Sequence, residues 1–155
     1  MRTAIGLVFV FLCTCCIAQS ARKAEVFSNA QLRDELAKSL AQAKASGSSG
    51  ATMGDYGSHT IKLSERTVSG GAEIHAHFDD IMIVEMGKAT LITGGEVTDA
   101  HTSAAGETTG SAIRGGTSQS IAAGDVVHIP AGIPHQLVIS QGTLYQAIVI
   151  KVKEQ

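Results

Sequence analysis

Two histidines at positions 75 and 77 are the residues whose type and spacing most clearly suggest chemistry. They fall in a segment that reads as a β-strand. Because successive side chains of a strand alternate between its faces, the spacing predicts that His75 and His77 project from the same face. Two imidazoles buried together need a partner, and a divalent transition metal is one that suits them. The pair therefore predicts a metal site, against the plainer alternative of two structural histidines.

A carboxylate and a third histidine could complete such a site. Asp80 begins the next apolar run, although Asp79 beside it competes for the role, because the alternation of that strand decides which of them points inward. His135 lies far downstream, behind a corner in which Pro130 and Pro134 fix the backbone and would hold the imidazole in place. The sequence thus predicts four protein ligands to a metal, which are His75, His77, Asp80 and His135.

Other polar residues are weaker candidates. Glu73 alternates with the two clustered histidines, so it faces the same way and either contacts the site or lies at its rim. The remaining histidines are His59 at the start of a strand, His101 in a polar segment and His128 before the proline corner. We do not expect these three to bind the metal directly.

The residues around the two clustered histidines resemble the first motif of the cupin superfamily, whose members are small β-barrels. In that family the motif runs Gly, five residues, His-x-His, three or four residues, Glu, six residues, Gly. Here Gly70 is followed by four residues, His75 and His77, two residues, Asp80, six residues and Gly87. The carboxylate is Asp in place of Glu and comes early, but its spacing to Gly87 fits. The resemblance therefore assigns the acidic ligand to Asp80.

The segment around His135 resembles the second cupin motif, which runs Pro-Gly, five residues, Pro-x-Gly, two residues, His, three residues, Asn. Here an Ala-Gly pair at 123–124 is followed by five residues, Pro130 and Gly132, two residues and His135. The closing Asn corresponds to Ile139, so that turn must be held differently. The two motifs together span nearly all of the sequence beyond the N-terminal third.

The resemblance implies an all-β fold, a single-domain cupin β-barrel (jelly roll), and a bound divalent metal. Iron or manganese is favoured as the metal, with zinc, nickel or copper as alternatives. Cupins include dioxygenases, lyases, isomerases, decarboxylases and epimerases, as well as members that only bind ligands. Two hypotheses follow. The chain is a metal-dependent enzyme acting on a small molecule, or it is a non-catalytic cupin that binds a metal or a small organic or sugar-like ligand.

The pattern of strands agrees with this fold. Glycine is abundant, with 17 residues, and short apolar or alternating runs are joined by glycine turns. We count about eight or nine strands at even spacing, which is typical of a closed barrel or jelly roll. The polar segment from Glu96 to Gly116 is predicted to be a long functional loop. We assign residues 58–155 to the barrel domain.

The first twenty residues are predicted to be a secretory signal peptide. Arg2 supplies a positive charge, an apolar run extends from Ala4 to Ala18, and small residues permit cleavage after Ala18 or after Ser20. All three cysteines, Cys13, Cys15 and Cys16, lie inside this segment. The sequence therefore predicts a secreted or periplasmic protein whose stability does not depend on disulfides.

Residues 21–57 are predicted to contain one helix followed by a linker rich in Gly and Ser. Ser28 is a good N-cap, and Gln31 completes a capping box. Leucines at four-residue spacing give the helix an apolar stripe that would dock on the barrel. Residues 46–57 read as a linker or loop.

Composition limits the partners. The formal net charge of -2 gives no electrostatic reason to bind nucleic acid, and the chain has few aromatic side chains on which bases could stack. We expect a small-molecule ligand or substrate, no nucleic acid and, after signal removal, no membrane. A homodimer that pairs through an outer sheet face is plausible for a small barrel of this kind.

Overall fold

A computed structural model of the protein describes residues 23–154, so the predicted signal peptide lies outside the described residues. None of the described helices is both long and apolar enough to cross a membrane. One helix precedes a series of strands, and the elements in chain order are α1 (Asn29–Ser46), β1 (Ser48–Asp55), β2 (His59–Arg66), β3 (Ala72–His75), β4 (Phe78–Met86), β5 (Lys88–Thr93), β6 (Glu96–Thr98), β7 (His101–Thr102), β8 (Glu107–Gly110), β9 (Ala112–Arg114), β10 (Thr117–Ala122), β11 (Val126–Ile129), β12 (His135–Val138) and β13 (Tyr145–Lys153).

Helix α1 begins at the N-cap that the sequence predicts. The Ser28 hydroxyl accepts a hydrogen bond from the Gln31 N–H at 3.3 Å, and the Gln31 side chain accepts one from the Ser28 N–H at 2.9 Å. The helix ends at Gly47, whose φ of +89° gives the left-handed conformation that glycine adopts without a steric penalty. The predicted capping box is confirmed, and Leu36 and Ala43 are the buried residues of the apolar stripe.

The segment after the helix is a strand, so the prediction of a linker at residues 46–57 is wrong. β1 pairs antiparallel with β2 from Ser48 opposite Arg66 to Asp55 opposite Thr60. A Cβ on Gly50 would lie 2.3 Å from the Leu63 carbonyl oxygen, so glycine is what allows the two strands to approach there. The Gly and Ser content therefore reflects close strand packing, because strand preference depends strongly on context.

The strands form two main sheets. One has five strands in the order β1-β2-β13-β4-β11, and the other has six in the order β10-β5-β12-β3-β8-β7. Within residues 23–154, hydrogen bonding does not join these sheets into one continuous barrel. The arrangement fits a jelly roll, and the prediction of an all-β domain behind one helix is confirmed.

The polar segment from Glu96 to Gly116, predicted to be a long loop, contains four short strands. β7 and β8 extend the six-stranded sheet beyond β3, and β6 pairs with β9 in a small separate sheet. This extension positions Glu107 beside His75, because these two residues are opposite one another in the β3–β8 pair.

Apolar side chains of both sheets meet to form the core, which draws on Met82 and Val84 of β4 and on Leu91 of β5. The full cluster of buried residues is Met82, Val84, Ala89, Leu91, Ile121, Ile129, Ile139, Tyr145 and Ala147. Ile139, which replaces the closing Asn of the second motif, is therefore held by apolar packing.

A buried carboxylate connects the helix to the five-stranded sheet. Glu65 of β2 is fully buried and accepts hydrogen bonds from the Ser39 hydroxyl of α1 at 2.9 Å and from the Gln146 side chain of β13 at 2.5 Å. Because a buried carboxylate needs donors to offset its lost hydration, this network fixes where α1 docks.

We expect the Gly87→Ala substitution to lower the free energy of unfolding by at least about 3 kcal/mol. Gly87 has a φ of +82°, and an added Cβ would lie 2.1 Å from the Leu144 carbonyl oxygen. The left-handed conformation alone costs about 1–2 kcal/mol for a residue with a Cβ, and the clash with backbone adds to this. Gly124→Ala is the matched control, since Gly124 has a φ of +96° but open space around its Cβ position. Equal losses for the two variants in urea titrations would contradict the role of the clash.

Candidate metal centre

Three strands bring together the residues that could bind a metal. β3 ends at His75, β4 carries Asp80 near its start, and β12 begins with His135, which lies opposite Glu73 in the β12–β3 pair. All but Glu73 are buried, and Glu73 is partly exposed. The proline corner thus places His135 beside residues that are far away in sequence.

The potential ligand atoms converge. His75 Nε2 lies 3.6 Å from Glu73 Oε2 and 3.4 Å from Asp80 Oδ2, and His135 Nε2 lies 3.9 Å from the same Asp80 oxygen. The ligand atoms of Glu73, His75 and His135 all lie within 4.8 Å of one another. One ion could therefore contact all three residues.

Hydrogen bonds at the far side of each ring orient the two histidines. His135 Nδ1 lies 3.0 Å from the Ile133 carbonyl oxygen, which can only accept, so Nδ1 carries the proton. His75 Nδ1 is hydrogen-bonded to the Glu107 carboxylate. In the neutral rings both Nε2 atoms then keep their lone pairs, and these face the group of carboxylates. Metal-binding histidines are held in this way, with a carbonyl or carboxylate behind the ring.

The protonation properties of the two rings differ. Burial lowers the pKa of His135, so this imidazole is neutral near pH 7. Burial also acts to lower the pKa of His75, but the neighbouring carboxylates of Asp80, 3.4 Å from Nε2, and of Glu107, hydrogen-bonded at Nδ1, outweigh burial and raise it. Within residues 23–154, His75 Nε2 is buried without a hydrogen-bond partner. This site therefore favours a cation at His75 Nε2, and a metal ion would compete there with a proton.

Of the two adjacent aspartates, Asp80 points inward. Its side chain lies 2.8 Å from the Lys151 ammonium across the β4–β13 pair. Burial acts to raise the pKa of Asp80, but the nearby His75 imidazole and the hydrogen bond from Lys151 outweigh it and hold the pKa below its ordinary value of 3.8. Asp79 instead accepts the Ala131 N–H at 2.8 Å. Strand alternation therefore places Asp80, and not Asp79, on the side of the two histidines.

His77 does not join the group. The strand β3 ends at His75, the backbone bends at Ala76 and His77, and the His77 side chain is exposed. The prediction that both imidazoles share a strand face is wrong, because alternation applies only while the strand continues. The Ala76 N–H donates to the Gly106 carbonyl oxygen at 3.2 Å in register with the β3–β8 pair, and the chain leaves the strand after this bond.

The remaining polar candidates lie as follows. Glu73 was a weaker candidate than the four predicted ligands, but it groups with His75 and His135 in the place expected of His77. Its alternation with His75 was the signal that pointed to it. His128 is exposed and lies 3.3 Å from Asp79, while His101 is exposed in β7. Neither belongs to the group.

Comparisons of the whole fold identify its architecture. An uncharacterised conserved protein with a double-stranded β-helix domain from Klebsiella pneumoniae matches 84% of this chain and 91% of its own, with 12% identity and a TM-score of 0.59. A cupin-2 domain protein from Rhodospirillum rubrum matches 70% of this chain and 62% of its own, with 12% identity and a TM-score of 0.51. The polyketide cyclase RemF from Streptomyces resistomycificus matches 70% and 67%, with 15% identity and a TM-score of 0.51.

The chain has the cupin fold. No protein-family model matches the sequence, and no curated protein is significantly similar to it. At identities of 12–15% these likenesses show the fold alone. The predicted cupin resemblance is confirmed at that level.

The donor set of this cupin fits a divalent metal. Two neutral imidazole nitrogens with one or two carboxylates suit iron, manganese or zinc, and no thiolate is present among residues 23–154 to favour a softer ion. A cavity of about 410 Å³ opens beside the group and is lined by residues that include Glu73, Asp80 and His135. This volume is of the size that small-molecule sites occupy.

We expect Glu107→Gln to weaken metal binding by roughly tenfold to a hundredfold, the usual cost of removing a carboxylate behind a metal-binding histidine. The substitution replaces a charged acceptor at His75 Nδ1 with a neutral amide. Isothermal titration with Mn²⁺ or Zn²⁺ measures the change. Glu85→Gln, at an exposed position on β4, is the matched control. Identical affinities for the two variants would exclude a role for Glu107 in orienting the ring.

Proposed function

We propose that this chain is an exported, metal-dependent cupin enzyme that acts on a small molecule in the cavity beside His75 and His135. The observation that carries the proposal is the convergence of two Nε2 lone pairs on Glu73 and Asp80, with both Nδ1 atoms bonded away from the site. An ordinary structural histidine pair would not need its remaining nitrogens directed at carboxylates.

The protein residues would divide the work as follows. His75, His135 and Glu73 would hold the metal, with Asp80 Oδ2, which faces both histidines while Oδ1 contacts Lys151, as a further ligand. A bound divalent metal supplies Lewis-acid activation of a substrate oxygen or of water. The Lys151 ammonium, which lines the cavity, would donate a hydrogen bond to substrate or keep Asp80 ionised. Where Asp80 takes the ligand position instead of Glu73, the Glu73 carboxylate, at the cavity wall and 38% exposed, would be free to exchange a proton with a bound molecule.

A non-catalytic cupin is the second candidate function. The observation that favours it is the hydrogen bond from the Lys151 ammonium to the buried Asp80 carboxylate, which occupies one of the carboxylate oxygens. Among the described residues that line the cavity, Glu73 is then the one carboxylate free of a lysine partner. A protein of this kind would bind a metal or a small organic ligand without turnover.

Metal analysis of the purified mature protein tests the proposal. We expect about one transition metal per chain, and absence of stoichiometric metal after growth with iron, manganese and zinc would refute the metal-dependent enzyme and leave only a cupin that binds an organic ligand. If metal is bound, oxygen uptake and product formation with small diketones, thiols and phenols separate a dioxygenase from a binder.

Export and assembly are also proposals. N-terminal sequencing of protein recovered outside the cytoplasm would show whether cleavage follows Ala18 or Ser20, and full-length protein retained in the cytoplasm would refute export. Sedimentation of the mature chain tests the homodimer.

A further inference from the structure

The walls of the cavity beside the candidate metal centre carry an excess of positive charge. Lys62 and Arg66 of β2 and Lys151 of β13 line it, against the two carboxylates Glu73 and Asp80. The strand register accounts for this placement. Lys62 lies opposite Val149 and Arg66 opposite Tyr145, whereas the intervening Glu65 turns to the other face and bonds to α1.

Two of these cations have no acidic partner among the described residues. Lys151 is 2.8 Å from Asp80, but within residues 23–154 no carboxylate oxygen lies within 4.0 Å of the charged nitrogens of Lys62 or Arg66. Both residues are only partly exposed. Partial burial of unpaired charge is unfavourable, and a divalent metal near His135 would add to the positive potential. An anionic ligand would balance it.

Arg66 is placed to receive such a ligand. A Cβ at Gly70 would lie 2.9 Å from a terminal guanidinium nitrogen of Arg66, so the glycine leaves the room that this side chain occupies. Gly70 lies two residues before β3, the strand that carries Glu73 and His75, and it lines the same cavity. The planar fork of a guanidinium matches a carboxylate or a phosphate through two parallel hydrogen bonds.

We propose that the cavity binds a small organic anion, with its carboxylate or phosphate group at Arg66 and Lys62 and its reacting end at His75 and His135. This inference deepens the proposed function, on which it rests for the position of the metal. Uncharged molecules of the same size would bind more weakly, because they leave both cations without a counter-charge.

Binding measurements on the metal-loaded mature protein test the proposal. The probes are malate, citrate and gluconate as carboxylates, glucose 6-phosphate and inorganic phosphate as phosphates, and glucose and glycerol as uncharged controls. We expect at least one anion to bind at least about tenfold more tightly than the uncharged molecules, and the relative affinities of carboxylates and phosphates identify which group Arg66 receives. Equal or weaker binding of every anion would overturn the proposal.

Variants locate the binding to these residues. Arg66→Gln should lower the affinity for the preferred anion by roughly tenfold to a hundredfold, since a charged hydrogen-bonding partner is lost. The metal content should not change. Arg114→Gln, at an exposed position on β9, is the matched control and should bind like the wild type. Lys62→Gln should also lower the affinity for this anion. This second variant tests the proposal if Arg66→Gln does not fold. Unchanged affinity in a folded Arg66→Gln or Lys62→Gln protein would overturn the assignment.

The same measurements separate this inference from the proposed function. Bound metal with no preference for anions would overturn the inference and leave the metal site standing. Conversely, anion binding that depends on Arg66 in a protein that takes up no metal would support the charged pocket and refute the metal-dependent function.

Discussion

His75→Ala and His135→Ala proteins are expected to bind divalent metal at least about a hundredfold more weakly than the wild type, and to purify without it. Each substitution deletes a directed Nε2 donor, whereas loss of a mere supporting residue costs roughly tenfold to a hundredfold. His77→Ala should keep its metal, because the His77 side chain is exposed beyond the end of β3. Metal content by elemental analysis and affinity by titration measure all three.

His128→Ala is the control for general effects of removing a histidine. Its side chain is exposed and contacts Asp79 outside the group of ligands, so metal content should not change. Loss of metal in His77→Ala would restore His77 to the ligand set that the sequence predicts, and retention of metal in His75→Ala or His135→Ala would contradict the geometry. Thermal unfolding of the metal-free variants separates lost ligation from lost folding.

The second large effect is expected for Lys151→Gln. In the metal-free protein the substitution should lower the free energy of unfolding by about 2–3 kcal/mol, because it leaves Asp80 buried without its cation. The effect should be somewhat below that of a fully buried pair, since Lys151 is partly exposed. Metal affinity should rise at the same time, because a positive charge beside the ion is removed and Asp80 no longer shares its negative charge with an ammonium.

The pH dependence follows from the direction of the Asp80 shift. Its pKa is lower in the folded protein than the ordinary 3.8, so the ionised carboxylate contributes stability above that pH and loses it as the pH falls through the folded value. Lys151 supports this contribution, so the difference between Lys151→Gln and wild type should be largest near neutral pH and shrink below about 3.8. Lys153→Gln, exposed on the same strand, is the control. Unfolding curves across pH that coincide for wild type and Lys151→Gln would contradict the pairing.

Features that depend on local sequence could be predicted. The capping box at Ser28 and Gln31 depends on residues three positions apart, and the structure contains both hydrogen bonds. The cupin fold could be predicted from the spacing of the two motifs, the second of which contains the proline corner before His135. Strand alternation from Glu73 to His75 correctly put those two side chains on one face.

Features that depend on where strands end or pair could not be predicted in the same way. His77 follows His75 with the spacing of a strand, but β3 ends at His75 and the chain bends at Ala76 and His77. The Lys151–Asp80 pair depends on the register of β13 against β4. β1 could not be predicted, because its glycine and serine residues have a low preference for strands. In the structure, pairing with β2 outweighs that low preference.

Strand pairing also explains why the contact between Glu107 and His75 could not be predicted from the sequence. Its segment is polar and rich in threonine, which reads as a loop, and only the pairing of β8 with β3 shows that its carboxylate supports the ring of His75. Ligands within a motif are visible in a sequence, whereas the residues that orient them come from whichever strand packs alongside.

Anomalous diffraction from crystals of the mature protein grown with Mn²⁺ or Zn²⁺ is the most direct test of the metal centre. We expect one strong anomalous peak in the cavity wall, about 2.0–2.2 Å from His75 Nε2, His135 Nε2 and a Glu73 carboxylate oxygen. His77 should have no metal within bonding distance. Absence of a peak at this position, or a peak coordinated by His77 instead, would contradict the site.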